Sequence, residues 1–201
     1  MSTDPFDDKA ATWDDDPQKV ERAGAVARSI ASSVALTDNT RLLEYGAGTG
    51  LVTEALRQSV GPVTLADTST GMREVIEAKI RDGRLDDARV WDLDLERQSP
   101  PDAEFDLIVT VLVLHHIHDL ARVLTSFATL LAPGGHLCIA DLMNEDGSFH
   151  GADFDGHHGF EREALSSDLT AAGFTDIDFR DCTDLIKHGR SYQVFLASSR
   201  R

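Results

Sequence analysis

Positive charge is scarce in this chain of 201 residues: 19 lysines and arginines stand against 35 aspartates and glutamates, for a formal net charge of −16. Phosphate backbones are held by clustered Lys and Arg, and no basic run is present, so a nucleic-acid substrate is not expected. The acidity itself reads as solubility. Cysteine is nearly absent. Cys138 and Cys182 lie far apart in apolar, strand-like runs and read as small buried hydrophobes in a reducing compartment, not as a disulfide. No stretch approaches the ~20 consecutive apolar residues of a membrane span. The opening residues 1–8 are acidic and lack the apolar segment of a secretory signal, which makes the cytoplasm the default expectation. An apolar share of 41% is left, ordinary for one globular domain with a real core.

The pattern that is present alternates. An acidic tail over residues 4–16 holds six aspartates against one lysine, with Phe6 and Trp13 set among them. Asp14-Asp15-Asp16 reads as a charge complement to the helix that follows, and Asp16-Pro17 as its cap and first position. Val20, Ala23, Ala27, Ile30, Ala31 and Val34 then recur at helical spacing. Strands are expected at residues 41–45, 62–66, 88–91, 105–111 and 136–142, and helices at 49–59, 70–81 and 119–131, the last stopping at Pro133-Gly134-Gly135. Such alternation predicts the α/β class: a three-layer sandwich whose mostly parallel sheet is covered by helices on both faces. Residues 143–160 are rich in Gly, Asp and His and show no period. A helix at 161–172 and two strands at 175–182 and 192–198, joined as an antiparallel hairpin, close the chain. The expected organisation is one domain, with a tail and cover helix (1–36), a cofactor-binding core (37–142) and a substrate-side insert, helix and hairpin (143–201).

Leu42-Leu43-Glu44-Tyr45-Gly46-Ala47-Gly48-Thr49-Gly50 is the most informative stretch. Alternate glycines directly after a short strand let the backbone turn tightly and approach a ligand with no Cβ in the way. Asp67, 23 residues after Glu44, ends the second strand and could accept from both hydroxyls of a ribose. Asp94-Leu95 follows the third, where an acid and an apolar neighbour could hold an adenine, with Met72 packing on the ring. Each acid alone is as readily a cap or a solvated loop residue. In order at three successive strand ends they support one another. The dinucleotide pattern requires a third glycine where Leu51 stands, and Glu44 is uncomfortable beside a pyrophosphate but favourable near an amino group or a cation. Adenosine joined to a zwitterion and a sulfonium fits better than NAD.

Taken together these residues resemble the class I S-adenosylmethionine-dependent methyltransferases, in particular the small-molecule group that includes quinone-biosynthesis enzymes. Residues 44–50 resemble the family's first motif, which implies that Glu44, Gly46, Ala47, Gly48, Thr49 and Gly50 hold the methionine end of the cofactor. Asp67, followed by Thr68 and the helix start at Met72, resembles the ribose-binding acid. Asp94-Leu95 resembles the adenine contact, and Val111 or Thr110 would lie beside the methionine part through backbone atoms. Leu114-His115-His116-Ile117-His118-Asp119 and Leu131-Ala132-Pro133-Gly134-Gly135 also match family phrases. The resemblance implies a seven-stranded sheet with its last strand antiparallel, S-adenosyl-L-methionine as cofactor and S-adenosyl-L-homocysteine as product. No Asn/Asp-Pro-Pro-aromatic run, Pro-Cys nucleophile or acid pair of a metal-dependent catechol-type enzyme is present, so base methylation and a catalytic metal are not expected.

The histidines supply the remaining candidates. His115, His116 and His118 leave the fourth strand at its carboxyl end, and His150, His157 and His158 lie in the glycine-rich segment. Neither group has a familiar zinc spacing. His115 and His118 read as caps or solvated loop residues. His116 is the candidate general base, with a structural hydrogen bond as its equal alternative. His157, His158 and Trp13 are candidate contacts to a small-molecule acceptor. An NAD-dependent oxidoreductase and a non-catalytic cofactor-binding protein of the same fold are the competing readings.

Overall fold

The structure, a computed structural model, describes residues 6–151 and 153–201, and the acidic opening at residues 1–5 lies outside them. The fold is an α/β three-layer sandwich with a mixed, mostly parallel seven-stranded sheet in the order β3-β2-β1-β4-β5-β7-β6 and helices on both faces. The chain divides into two compact units, residues 1–94 and 95–201.

In the first unit, α1 (Asp7–Ala10) and a single 3-10 turn lead to α2 (Pro17–Ser33), then β1 (Leu42–Tyr45), α3 (Leu51–Leu56), β2 (Val63–Ala66), α4 (Thr70–Arg81) and β3 (Arg89–Trp91). Every residue of β1 and β2 is buried, as expected for parallel strands covered on both faces. The three strands pair in parallel, with Leu42 opposite Val63 and Thr64 opposite Arg89. Asp16 caps α2 by accepting from the Gln18 N–H at 2.9 Å, with Pro17 at the first helical position. Val26 and Ile30 are the buried stripe of α2, and the helix packs on α3. Ser69 caps α4 by accepting from the Met72 N–H. The helix expected at 49–59 is shorter, because Gly50 takes a left-handed φ of 80° and stands as the cap, so that winding starts only at Leu51.

In the second unit, β4 (Phe105–Val111) is followed by a 3-10 turn (Leu114–His116), α5 (Leu120–Leu130), β5 (Leu131–Leu142), α6 (Arg162–Ala171), β6 (Thr175–Lys187) and β7 (Arg190–Arg200). Leu120, Val123, Leu124, Phe127 and Leu130 form the buried face of α5, which packs on β5. Two boundaries differ from the sequence pattern. Strand β5 begins at Leu131 and carries Pro133-Gly134-Gly135 within it, because Leu131 pairs with Phe105 before the register shifts to His136 opposite Leu107. The closing hairpin is longer than its apolar core predicts. Residues 183–187 and 190–191 continue the antiparallel ladder, and the turn shrinks to His188 and Gly189, both with positive φ (52° and 75°). That pair of left-handed residues matches the twist of two antiparallel strands. Charged residues on β6 hid the extension, and charge is what an outer strand carries to discourage pairing with other chains.

Candidate active site

The first unit builds its site from backbone. Gly46, Gly48 and Gly50 follow β1 with φ of 68°, 56° and 80°, all in the region that side chains rarely adopt. Ala47 donates to the Ala66 carbonyl at 2.9 Å, and Gly50 to Ala47 at 2.8 Å, folding the turn back on itself. The Asp67 carboxylate then closes it. One oxygen accepts from the Gly48 N–H at 2.7 Å and the other from the Ser69 N–H at 2.9 Å. Gly50 is forced twice over, since a Cβ there would come within 2.7 Å of a Leu65 methyl carbon. At Gly48 the same construction meets nothing within 4 Å, so this side of the turn faces open space that a side chain would fill.

Carboxylates of the tail brace the turn. Asp14 accepts from the Thr49 hydroxyl at 2.6 Å and meets the Lys79 ammonium at 2.7 Å. Lys79 is only 3% exposed and also meets Glu54 at 3.0 Å. The expected charge complement to α2 is therefore corrected for Asp14: Asp16 alone of the run caps the helix, while Asp14 is drawn to the buried cation. Asp7 accepts from the Ser69 hydroxyl at 2.6 Å and the Gly71 N–H at 2.9 Å, and these bonds hold its carboxyl below the usual range. Trp13 is half-buried, edge-on to Phe6 at 6.1 Å, with the Lys19 ammonium 3.8 Å above its ring.

Glu44 is placed behind the turn. It is 3% exposed and accepts from the Thr53 hydroxyl at 2.5 Å and the Thr53 N–H at 3.0 Å, tying β1 to the first turn of α3. Burial pushes its carboxyl up to about 7, against the opposing pull of those two bonds. Thr68 is exposed, Met72 is buried on α4, and Asp94 is half-buried after β3. Among the cofactor candidates, direct hydrogen bonds thus join Gly48 to Asp67 and Thr49 to the tail. Leu95, fully buried, and Val111, at the carboxyl end of β4, belong to the second unit.

The second unit builds its cluster from rings. After β4 the chain passes through Leu112, whose φ of 56° is unusual for a branched residue and whose N–H reaches the Ala140 carbonyl at 2.8 Å. The 3-10 turn then delivers His115 and His116. His115 corrects the expectation of a cap or solvated residue: it is 2% exposed, and its Nδ1 lies 2.6 Å from a carboxylate oxygen of Asp141, itself fully buried at the end of β5. Asp141 also accepts from the Leu142 N–H at 2.7 Å. An acid seated this way fixes the imidazole tautomer with Nδ1 as donor. His116 is half-buried, its ring 4.2 Å from that of His115.

Of the three histidines in the unpatterned segment, His150 comes to this turn. Its ring lies 5.0 Å from His115 and 5.1 Å from His116 and stacks on Phe154 at 3.9 Å. Burial, then the neighbouring His115 and Lys187, lower its imidazole to about 4. His157 contributes its backbone, donating to the His115 carbonyl at 2.8 Å, while its ring sits beside Phe160. His158 is exposed, 3.4 Å from Glu145, and His118 is exposed near Asp155. Sequence reasoning did not set His150 apart, since an entire helix and strand and the start of the unpatterned segment separate it from His116. Its signal was faint: a histidine flanked by Phe149 and Phe154.

A mostly parallel α/β sheet whose first strand opens onto a three-glycine turn, closed by the acid that follows the second strand, defines a nucleoside-cofactor-binding class. The chain belongs to the methyltransferase domain family, whose pattern matches residues 17–178. It is 38% identical over 125 residues to the biotin biosynthesis bifunctional protein BioCD of Bordetella avium, a match covering 61% of this chain and 26% of that one. The chain therefore spans about a quarter of that curated relative. Among solved structures it is similar to the N-methyltransferase NodS of Bradyrhizobium japonicum in complex with S-adenosyl-L-homocysteine, with a TM-score of 0.71 and 25% identity, covering 94% of this chain and 89% of that one. A chain of the Haloferax volcanii complex that contains the Trm112 methyltransferase activator has a TM-score of 0.81 at 18% identity, covering 100% and 99%, a likeness of fold alone. None of these relatives is named for quinone biosynthesis. No helix among the described residues is long and apolar enough to cross a membrane.

Proposed function

We propose that this protein transfers a methyl group from S-adenosyl-L-methionine to a small-molecule acceptor by in-line displacement, leaving S-adenosyl-L-homocysteine. The observation that carries the reading is the glycine turn closed by the Gly48–Asp67 bond, in a chain of the methyltransferase domain family. When bound, the cofactor supplies an activated methyl on a sulfonium leaving group. Asp67 accepts from the ribose hydroxyls while keeping Gly48 and Ser69, since a carboxylate offers about four acceptor positions. The open side of the turn at Gly48 lets the ligand approach the backbone, with Gly46, Ala47, Thr49 and Gly50 setting its curvature. Glu44 acts as a positioning residue through Thr53. The cofactor contacts of Thr68, Met72, Asp94, Leu95 and Val111, and the acceptor contacts of Trp13, His157 and His158, belong to the same proposal.

Orientation and exclusion of water can contribute up to ~7–11 kcal/mol to such a reaction, so the chain need not activate the leaving group. An acceptor that must lose a proton gives it to His116, a contribution of typically ~10²–10⁴-fold. The test is a thermal shift with S-adenosyl-L-homocysteine, with NAD and with neither. At a hundred times its dissociation constant, the true ligand adds ~2.7 kcal/mol of stability. Stabilisation by the homocysteine derivative, weakened in Asp67→Ala, supports the reading, and stabilisation by NAD alone overturns it. Binding without methyl transfer to a broad acceptor panel would select the non-catalytic alternative.

A further inference from the structure

Three imidazoles from two separate stretches converge within the second unit. His115 and His116 come from the turn after β4, His150 from the segment after β5, and one ring nitrogen of each lies within 4.8 Å of the other two. No other group of three or more histidine, cysteine or carboxylate side chains is so placed among the described residues. Zinc binds imidazole nitrogen at about 2.0–2.1 Å, which sets tetrahedral ligand atoms about 3.3 Å apart. Ring shifts of roughly 1 Å would close the cluster to that spacing.

Two further observations point to a ligand. The His150 Nε2 is buried and has no hydrogen-bond partner, an orphan that a buried polar atom rarely remains. His115 has the arrangement of a metal-bound imidazole held from behind: Nδ1 is engaged by Asp141 at 2.6 Å, leaving Nε2 with its lone pair. The segment that carries His150 is also locked onto the turn. His157 donates to the His115 carbonyl, and a Cβ at Gly156 would stand only 2.3 Å from that same oxygen, so only glycine fits the approach. Lys187, which packs on the Phe149 ring beside His150, has its ammonium committed to the Phe149 carbonyl and ring. An imidazole-only donor set with no thiolate suits zinc, copper or nickel and not magnesium or calcium.

We propose that His115, His116 and His150 bind one divalent transition-metal ion of the zinc class, with Asp141 orienting His115 and water completing the coordination. Binding of this ion does not depend on the methyl-transfer reading. It makes His116 a ligand in the loaded protein, so that His116 is available as a base only in the metal-free one.

The full chain, stripped with chelator, is titrated with Zn²⁺ against a chromophoric competitor. One equivalent per chain is expected, weakened by more than the ~10–100-fold typical of lost outer partners in His116→Ala and in His150→Ala. It is expected to be unchanged in His188→Ala, on the hairpin turn. X-ray absorption of the zinc-loaded wild type needs no variant and should show three imidazole nitrogens at about 2.0–2.1 Å. Unchanged affinity in the His116→Ala/His150→Ala double variant, or fewer than three imidazoles around the bound zinc, overturns the proposal.

Discussion

The two halves of this protein concentrate their chemistry in opposite ways. The turn after β1 is made of backbone: three left-handed glycines, with the Gly48 amide held by the Asp67 carboxylate and the Gly50 amide by the Ala47 carbonyl. The cluster after β4 is made of side chains, three imidazoles seated against Asp141 and Phe154. Two shifted titratable groups, one in each half, move in opposite directions. Burial raises the Glu44 acid and lowers the His150 base, so both favour the neutral form. The difference teaches two ways to build a recognition surface: the turn offers backbone amides, and the ring cluster offers side-chain nitrogens.

The largest expected effect breaks the second region. Asp141→Ala strands the buried His115 and the Leu142 amide, and should cost about 3–5 kcal/mol in urea unfolding. A loss below about 1 kcal/mol would show that the ring cluster is not held as described.

Glycine substitutions sharpen the first region. Gly50→Val adds a left-handed backbone penalty and a clash with Leu65, together roughly 2–4 kcal/mol. Gly48→Ala meets open space and should cost only about 1–2 kcal/mol from its backbone, while lowering affinity for S-adenosyl-L-homocysteine. Equal stability losses at the two positions would erase that distinction.

The pH dependence separates the halves by sign. Glu44 has a folded value of about 7, above its ordinary 4.5, so its contribution is fully present below 4.5 and is lost as pH rises through 7. Glu44→Gln should remove a slope of about 3 kcal/mol across that window, read from urea midpoints at pH 5 and 8. His150 runs the other way in the metal-free protein. Its folded value of about 4 lies below 6.5, so its contribution is present above 6.5 and lost as pH falls toward 4, and His150→Gln should flatten the acid limb. The smallest effect belongs to the brace. Asp14→Ala leaves Lys79 its bond to Glu54 and should cost about 1 kcal/mol, with no change in the zinc titration.

Much of the fold was legible in residue pattern. Helix α4 and strand β4 have the boundaries their periodicity predicts. Errors fell where local preference and pairing disagree: at Gly50, which delays α3, at Pro133, which the register of β5 accommodates, and along β6, whose charges conceal a strand. The candidate site divides the same way. Positive φ demands glycine, so the turn after β1 announces itself in the chain. Asp14 and His150 carry no such mark, because their partners lie 35 residues away at Thr49 and on a turn before an entire helix and strand.

Sequence alone therefore determined the α/β alternation, the glycine turn and the order of acids at the strand ends, since backbone geometry restricts which residues can occupy them. Tertiary structure alone decided that Asp14 braces the turn, that Glu44 is buried behind it, and that His150 joins His115 and His116. Those outcomes depend on which side chains burial brings together, and proximity across a folded chain leaves no period in the sequence.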